Sequence, residues 1–235
     1  FVAWYQRGRY SCTGTCFDIG MTTRQALQRF METGAPEAGN CSPSTAGNGS
    51  LMRLAPVPIF YHAHLAAGIE AARRQSRTTH GAVEAVDACA AYAELLILAI
   101  NGLAKDAVLA RAIPGLAPAV AAVIGGSWRG QPRERISSSG YVVHSLEAAL
   151  WCVACSSNFR EAVLLAANLG DDADTVAAIT GQLAGALGGV EAIPADWLRK
   201  LAWREKIERL GVRLLKGGQT ILDPQGQQSE NSPTF

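Results

Sequence analysis

Residues 158–189 read NFREAVLLAANLGDDADTVAAITGQLAGALGG, an amphipathic helical pattern, an acidic turn and a second helical pattern, with no strand period between them. The first pattern stops at Gly170, a residue type that ends helices by entering the left-handed region. The second carries Gly181, Gly185 and Gly188 three or four positions apart, a spacing that lets a neighbouring helix approach closely. Between them, GDDADT (170–175) places three carboxylates and a hydroxyl in five positions. Like charges so close raise one another's proton affinity unless a cation sits among them. All the donors are hard oxygens, which suit Mg²⁺ or Mn²⁺ better than zinc or copper. Asp174 and Thr175 fall where the second helix begins, with Asp172 just before it. The plainer reading is that Asp172 or Asp174 caps that helix and the rest is solvated; one acid suffices for a cap, and three are present.

Outward from this stretch the helical texture continues. TRQALQRFMETG sets Ala26, Leu27 and Phe30 on one side and stops at Gly34. SLMRLAPVPIFYHAH is expected to open with Ser50 as a cap and to kink or end at Pro56 and Pro58. LAAGIEAARRQSRT is amphipathic, and GAVEAVDACAAYAELLILAINGL, with few charges, is the expected central helix. Two short segments cover 104–113 and 116–126, YVVHSLEAALWCVACS is helical and apolar, and DWLRKLAWREKIERLGVRLL ends the fold as one or two charged surface helices. The expected architecture is all-α, a single orthogonal or layered bundle of roughly ten helices over residues 1–217, followed by a loose polar tail, 218–235. FVAWYQRGRY at the start reads as the last turns of a helix whose earlier part lies outside this sequence.

Composition narrows the function classes. The chain has 235 residues, 49% of them apolar, enough for one full core. Its 21 basic and 20 acidic side chains are interspersed, net charge +1, without the basic patch that duplex binding needs. A small anion can still be held by uncharged helix ends and backbone N–H groups. Six cysteines in a chain of this length do not read as a disulfide framework, so reduced thiols and a cytoplasmic location are expected. No apolar run reaches the roughly 18 residues that a bilayer span needs. Cys152-Val153-Ala154-Cys155 has the spacing of a metal or redox pair but no second pair to complete it.

Further polar loops stand before apolar helices. In CTGTCFDIG (12–20), Asp18 lies between Phe17 and Ile19, with Gly14 and Gly20 permitting tight turns; such an acid is as often a turn residue as a catalyst. Gly47-Asn48-Gly49-Ser50 brings backbone close to a ligand ahead of an expected helix start, although the Gly-Lys-Ser/Thr of a P-loop is missing. Thr79-His80 and Ser139-Gly140-Tyr141 precede two further helices. Each alone is more often an ordinary cap than a site. If their helix starts face one cleft, they would hold a diphosphate and sugar hydroxyls beside a metal, with Tyr141 stacking on a base or ribose or simply packing in the core.

CFDIGMTTRQAL, GNGSLMRLAPVP, SRTTHGAVEAVDAC, SSGYVVHSLEAALW and LLAANLGDDADTVAAITGQLAGA together resemble the ADP-ribosylglycohydrolases, in order, over about residues 4–189. The resemblance implies an all-α fold and a dinuclear Mg²⁺ or Mn²⁺ site, and metal-dependent hydrolysis of the glycosidic bond joining ADP-ribose to a protein side chain or related conjugate. It implies that Asp172, Asp174 and Thr175 are metal ligands, with Asp171 behind them. Asp18 is placed near the scissile bond, in proton transfer or in steadying the distal ribose. Gly47, Asn48, Gly49, Ser50, Thr79, His80, Ser139, Gly140 and Tyr141 are implied to bind ADP-ribose. Partners would be an ADP-ribosylated protein or small conjugate, with no nucleic acid and no membrane. The family's other ligands, an acidic helix and a Thr-Asp-Asp motif, would lie upstream of Phe1. This chain alone is therefore expected to hold an incomplete metal cluster, and the alternative is an inactive homologue that binds ADP-ribose or serves a structural role, with the core beside Trp4 and Tyr5 exposed or covered by a partner chain.

Overall fold

Twelve α-helices order the residues that the computed structural model describes, 1–220. They are α1 (Val2–Arg7), α2 (Met21–Thr33), α3 (Pro56–Phe60), α4 (Leu65–Arg77), α5 (Val83–Ile100) and α6 (Lys105–Leu109), then α7 (Pro118–Ile124), α8 (Val142–Ala154), α9 (Phe159–Ala167), α10 (Ala173–Gly188), α11 (Ala195–Lys200) and α12 (Arg204–Thr220). Among the described residues no strand forms, and the extended pairings are two isolated bridges, Asn40 with His80 and Gly47 with Tyr141. The fold is the expected all-α domain. The last helix runs three residues beyond 217, and the rest of the expected tail, 221–235, lies outside the described residues.

The central helix is α5. Fourteen of its 18 residues are buried, the mark of a helix surrounded on all sides. Helices α3, α4, α6, α7, α8 and α10 pack around it. Its small side chains, Ala85, Ala88, Ala91 and Ala93, are fully shielded and admit neighbours closely. Burying acids here demands partners, and each has one. Asp87 accepts Arg73 Nη1 at 2.6 Å and the backbone N–H of Ala117 at 2.8 Å, so it also satisfies the start of α7. Glu94 accepts Arg111 Nε at 2.6 Å, and Glu84 accepts the Tyr141 hydroxyl at 2.7 Å. The Tyr92 hydroxyl donates to Ile179 O of α10 at 2.6 Å, tying the two longest buried helices together.

Against α5 lies α8, whose Leu146 is wholly buried. Replacing Leu146 by alanine is expected to cost about 2–5 kcal/mol, transfer and cavity terms combined, measurable as a lowered urea midpoint at unchanged slope.

Two local expectations change. The helix foreseen from Ser50 does not form there; residues 49–53 run as turns, and the next helix starts at Pro56, whose missing N–H is harmless in a first turn. Ser50 is wholly buried instead, its hydroxyl accepting from Ser76 Oγ at 2.9 Å and lying 3.4 Å from Cys89 Sγ. The glycines of α10 do face α9, yet a methyl group at Gly181 or Gly185 would meet Val163 or Phe159 at 3.8 and 3.7 Å. That is ordinary contact, so steric closeness does not require glycine at those two positions.

Candidate active site

Backbone pairing draws the polar loops together. Asn48 N–H donates to Gly140 O at 3.1 Å and Val142 N–H donates to Ala46 O at 3.0 Å, joining the GNG turn to the start of α8. Asp172 N–H donates to Ser138 O at 3.1 Å, and Ser138 Oγ to Gly170 O at 2.9 Å, joining the same loop to the acidic turn. Gly81 N–H donates to Asn40 O, which sets the residues before α5 beside this group.

At the centre is Asn48, buried, whose Nδ2 donates both to Asp172 Oδ2 at 2.6 Å and to Ser145 Oγ at 2.8 Å. Asp172 stands at the cap position of α10 but makes no side-chain capping bond, and the helices after the other two loops, α5 and α8, also begin without one. The ordinary capping role is therefore vacant in all three places, and the short polar side chains are turned to other partners. Gly140 sits so near the acid that a Cβ there would lie 3.6 Å from Asp172 Oδ2.

His80 forms the floor of the glycine turn. It is almost fully buried, its Nδ1 2.8 Å from Thr79 Oγ1, and a Cβ on Gly49 would stand 2.8 Å from its Cε1. Gly49 is thus required by close approach of the His80 ring, where the sequence reading expected close approach to a ligand. Arg53, which sequence reasoning missed, braces the assembly. Its guanidinium donates to Gly49 O, to Gln75 and to the hydroxyls of Thr78 and Thr79, the last at 2.7 Å. The available signal was one arginine inside the apolar run SLMRLAP. Burial pulls Arg53 down to about 10, while Thr79 and Ser50, being fully buried, support the loop from behind.

Burial, and then the positive charge of Arg53, lower His80 from 6.5 to about 4. The folded protein therefore binds fewer protons at this ring than the unfolded chain between about pH 4 and 6.5, and stability rises with pH across that window. Its contribution is complete above the unfolded value and is lost as pH falls toward 4. The difference in urea midpoint between pH 5 and 7.5 is expected to shrink in His80→Asn; an unchanged difference would contradict this.

The remaining candidates lie at the edge. Tyr141 is half-buried, pinned by Glu84 and set edge-on to His144, whose Nδ1 is 2.8 Å from Ser139 Oγ. Burial, then Glu84, push the Tyr141 hydroxyl up to about 12, so it remains a donor. Asp171 and Asp174 are exposed and Thr175 is buried, its hydroxyl 3.9 Å from Met52 Sδ. Met52 also lines a cavity of about 420 Å³ that holds Asp18, so one methionine borders both acidic positions. Asp18 and Asp171 share a backbone feature: φ is +49° and +53°, a left-handed conformation uncommon for residues with a Cβ and more tolerable for aspartate.

Two carboxylates and a hydroxyl at the head of α10 have the donor chemistry of Mg²⁺ or Mn²⁺. Among the described residues no group of three or more His, Cys, Asp or Glu side chains gathers as a metal centre. The set fits a hard cation in kind and would supply only part of its shell in number. No helix among the described residues is long and apolar enough to cross a membrane, and all six cysteines are free.

The ADP-ribosylglycohydrolase family model matches residues 1–222. The chain is 49% identical over 213 residues to the ADP-ribosylarginine hydrolase Tri1 of Pseudomonas putida (strain GB-1), covering 91% of this chain and 57% of that protein. It is 44% identical over 213 residues to the ADP-ribosylarginine hydrolase Tri1 of Serratia proteamaculans (strain 568), covering 91% and 58%. A solved chain described as an ADP-ribosylglycohydrolase-related protein complex superposes with a TM-score of 0.78 at 44% identity, over 85% of this chain and 69% of its own length. This chain thus spans less than three fifths of each of those two hydrolases.

Proposed function

Because this chain belongs to the ADP-ribosylglycohydrolase family, we propose that it carries the ADP-ribose side of a hydrolase that releases ADP-ribose from a modified arginine side chain. The observation that carries this reading is the Asn48–Asp172 bond at 2.6 Å, which locks a glycine turn made for close backbone approach onto an acidic turn. Gly47, Asn48, Gly49 and Gly140 would line the diphosphate and ribose, with His80 and Arg53 holding that backbone rigid so that remote binding energy orients the sugar. Asp172, Asp174 and Thr175 would hold part of a Mg²⁺ or Mn²⁺ site. Such an ion supplies charge stabilisation at the ribose and a more acidic water.

Hydrolysis breaks the bond from the anomeric carbon to the acceptor nitrogen and forms one from that carbon to a water oxygen. The water's proton must reach the departing nitrogen. Asp18, exposed in the cavity bordered by Met52, is the group of this chain suited to carry it. The ADP-ribosylated partner would present its arginine there.

Calorimetry with ADP-ribose, with and without Mg²⁺, together with release of ADP-ribose from an ADP-ribosyl-arginine peptide, tests the proposal. Tighter binding with the ion, accompanied by release, is expected. Equal affinity in both conditions without release would make the chain an ADP-ribose-binding module instead, and no binding would end both readings.

A further inference from the structure

We propose that the hollow between α11 and α12 docks an acidic segment of the ADP-ribosylated protein, an inference that rests on the hydrolase reading above. Residues 195–216 hold seven of the chain's 21 basic side chains and three of its 20 acidic ones. The near-neutral balance of the whole chain therefore conceals a local excess of +4, set against −3 over the remaining residues. The chain leaves α11, turns at residues 201–203 and enters α12, and this corner bounds a cavity of about 510 Å³. Arg199, Arg204, Lys206 and Arg209 line it around Trp203, and Glu205 is the acid among its lining residues.

Two of the four cations lack a counter-charge. Arg204 is paired with Glu208 at 2.8 Å, and the Lys206 ammonium lies 3.9 Å from the Trp203 ring centroid. Among the described residues no acid pairs with Arg199 or Arg209, and both are exposed. Cations crowded at the start of α12 also oppose the helix dipole, which favours acids there. An anionic partner would offset that repulsion. The surroundings decide the kind of anion. Leu201, Ile207 and Leu210 of the same segment are 46%, 48% and 46% exposed, so charge and apolar contact are offered together, as an acidic protein segment with apolar residues requires. Lys206 already covers one face of Trp203, which leaves a poor platform for a nucleic-acid base. A bilayer surface is broad, whereas these cations surround a hollow. Lys206 also lies 5.9 Å from the ring centroid of Tyr10, which lines the cavity holding Asp18. Acidic residues flanking the modified arginine would therefore fall beside the hollow.

The test follows binding of a fluorescein-labelled glutamate–leucine peptide by anisotropy, beside its glutamine–leucine counterpart. The acidic peptide is expected to bind at least about 10-fold tighter at low salt, and the difference to close at high salt. The double variant Arg199→Glu, Arg209→Glu should weaken the acidic peptide by roughly 10-fold or more and leave the glutamine peptide and ADP-ribose unaffected. A control, Lys200→Glu with Arg213→Glu, changes net charge equally at exposed positions outside the cavity and should stay within about 3-fold. Equal binding of the two peptides, equal losses in the two double variants, or tighter binding to phosphatidylserine vesicles or to an oligonucleotide would each overturn the docking surface. A last arm places one ADP-ribosyl-arginine within the acidic peptide, which should bind tighter than the unmodified form. Location-specific binding of the acidic peptide with no gain from ADP-ribosylation would instead overturn the hydrolase reading, and the docked protein would then not be its substrate.

Discussion

Asp172→Ala is expected to reduce turnover of an ADP-ribosyl-arginine substrate by about 10³-fold, because a metal's charge stabilisation is worth several kcal/mol and each 1.4 kcal/mol is tenfold. The side chain has two tasks in this molecule, and two substitutions separate them. Its Oδ2 accepts from Asn48 Nδ2, and on the proposed reading its charge would serve a cation. Asp172→Asn keeps an oxygen to accept from Asn48 and discards the charge. Both variants should lose turnover and Mn²⁺ affinity alike, with partial rescue of turnover at high Mn²⁺. Only Asp172→Ala should also weaken ADP-ribose binding, because the Asn48 side chain is then held by Ser145 alone. Manganese titration followed by electron paramagnetic resonance, alongside calorimetry, reads the two effects independently. Normal Mn²⁺ binding by both variants would remove Asp172 from the metal set.

The second large effect is at Asp18. Asp18→Asn is expected to lower kcat by roughly 10²-fold while leaving Mn²⁺ and ADP-ribose affinities near those of the unaltered protein, as for loss of a proton carrier. Asparagine is the informative replacement for a backbone reason. At φ +49° the residue sits in the left-handed region that asparagine and aspartate tolerate, so the amide removes the proton-carrying group without straining the turn. Alanine would confound chemistry with strain. Single-turnover rates on an ADP-ribosyl-arginine peptide decide the matter, and a near-normal kcat would show that the carboxylate does not act on the proton.

These two acids illustrate how far a linear reading reaches. Asp172 stood out because three carboxylates in a short turn are costly anywhere, and that cost is local. Asp18 stood out less, since a lone acid between Phe17 and Ile19 suits a turn as well as a site. Arg53 was passed over, because one arginine in an apolar run carries no mark of the five groups its guanidinium joins. Ser50 misled in the other direction. A serine before an apolar segment satisfies every rule for a helix start, but burial against Ser76 and Cys89 engaged its hydroxyl, and the helix began at Pro56.

Helix class, the central position of α5 and the acidic turn were readable from the chain because each is set by neighbours a few residues apart: apolar period, charge density and glycine stops. The joining of the loops was not readable in this way. Asn48 meets Asp172 across 124 positions and Ser145 across 97, and no local period encodes which distant donor will face which acceptor. That choice depends on the packing of α8 and α10 against α5, which sets the polar loop ends on one side, where the buried Asn48 amide finds Asp172 and Ser145 as its acceptors.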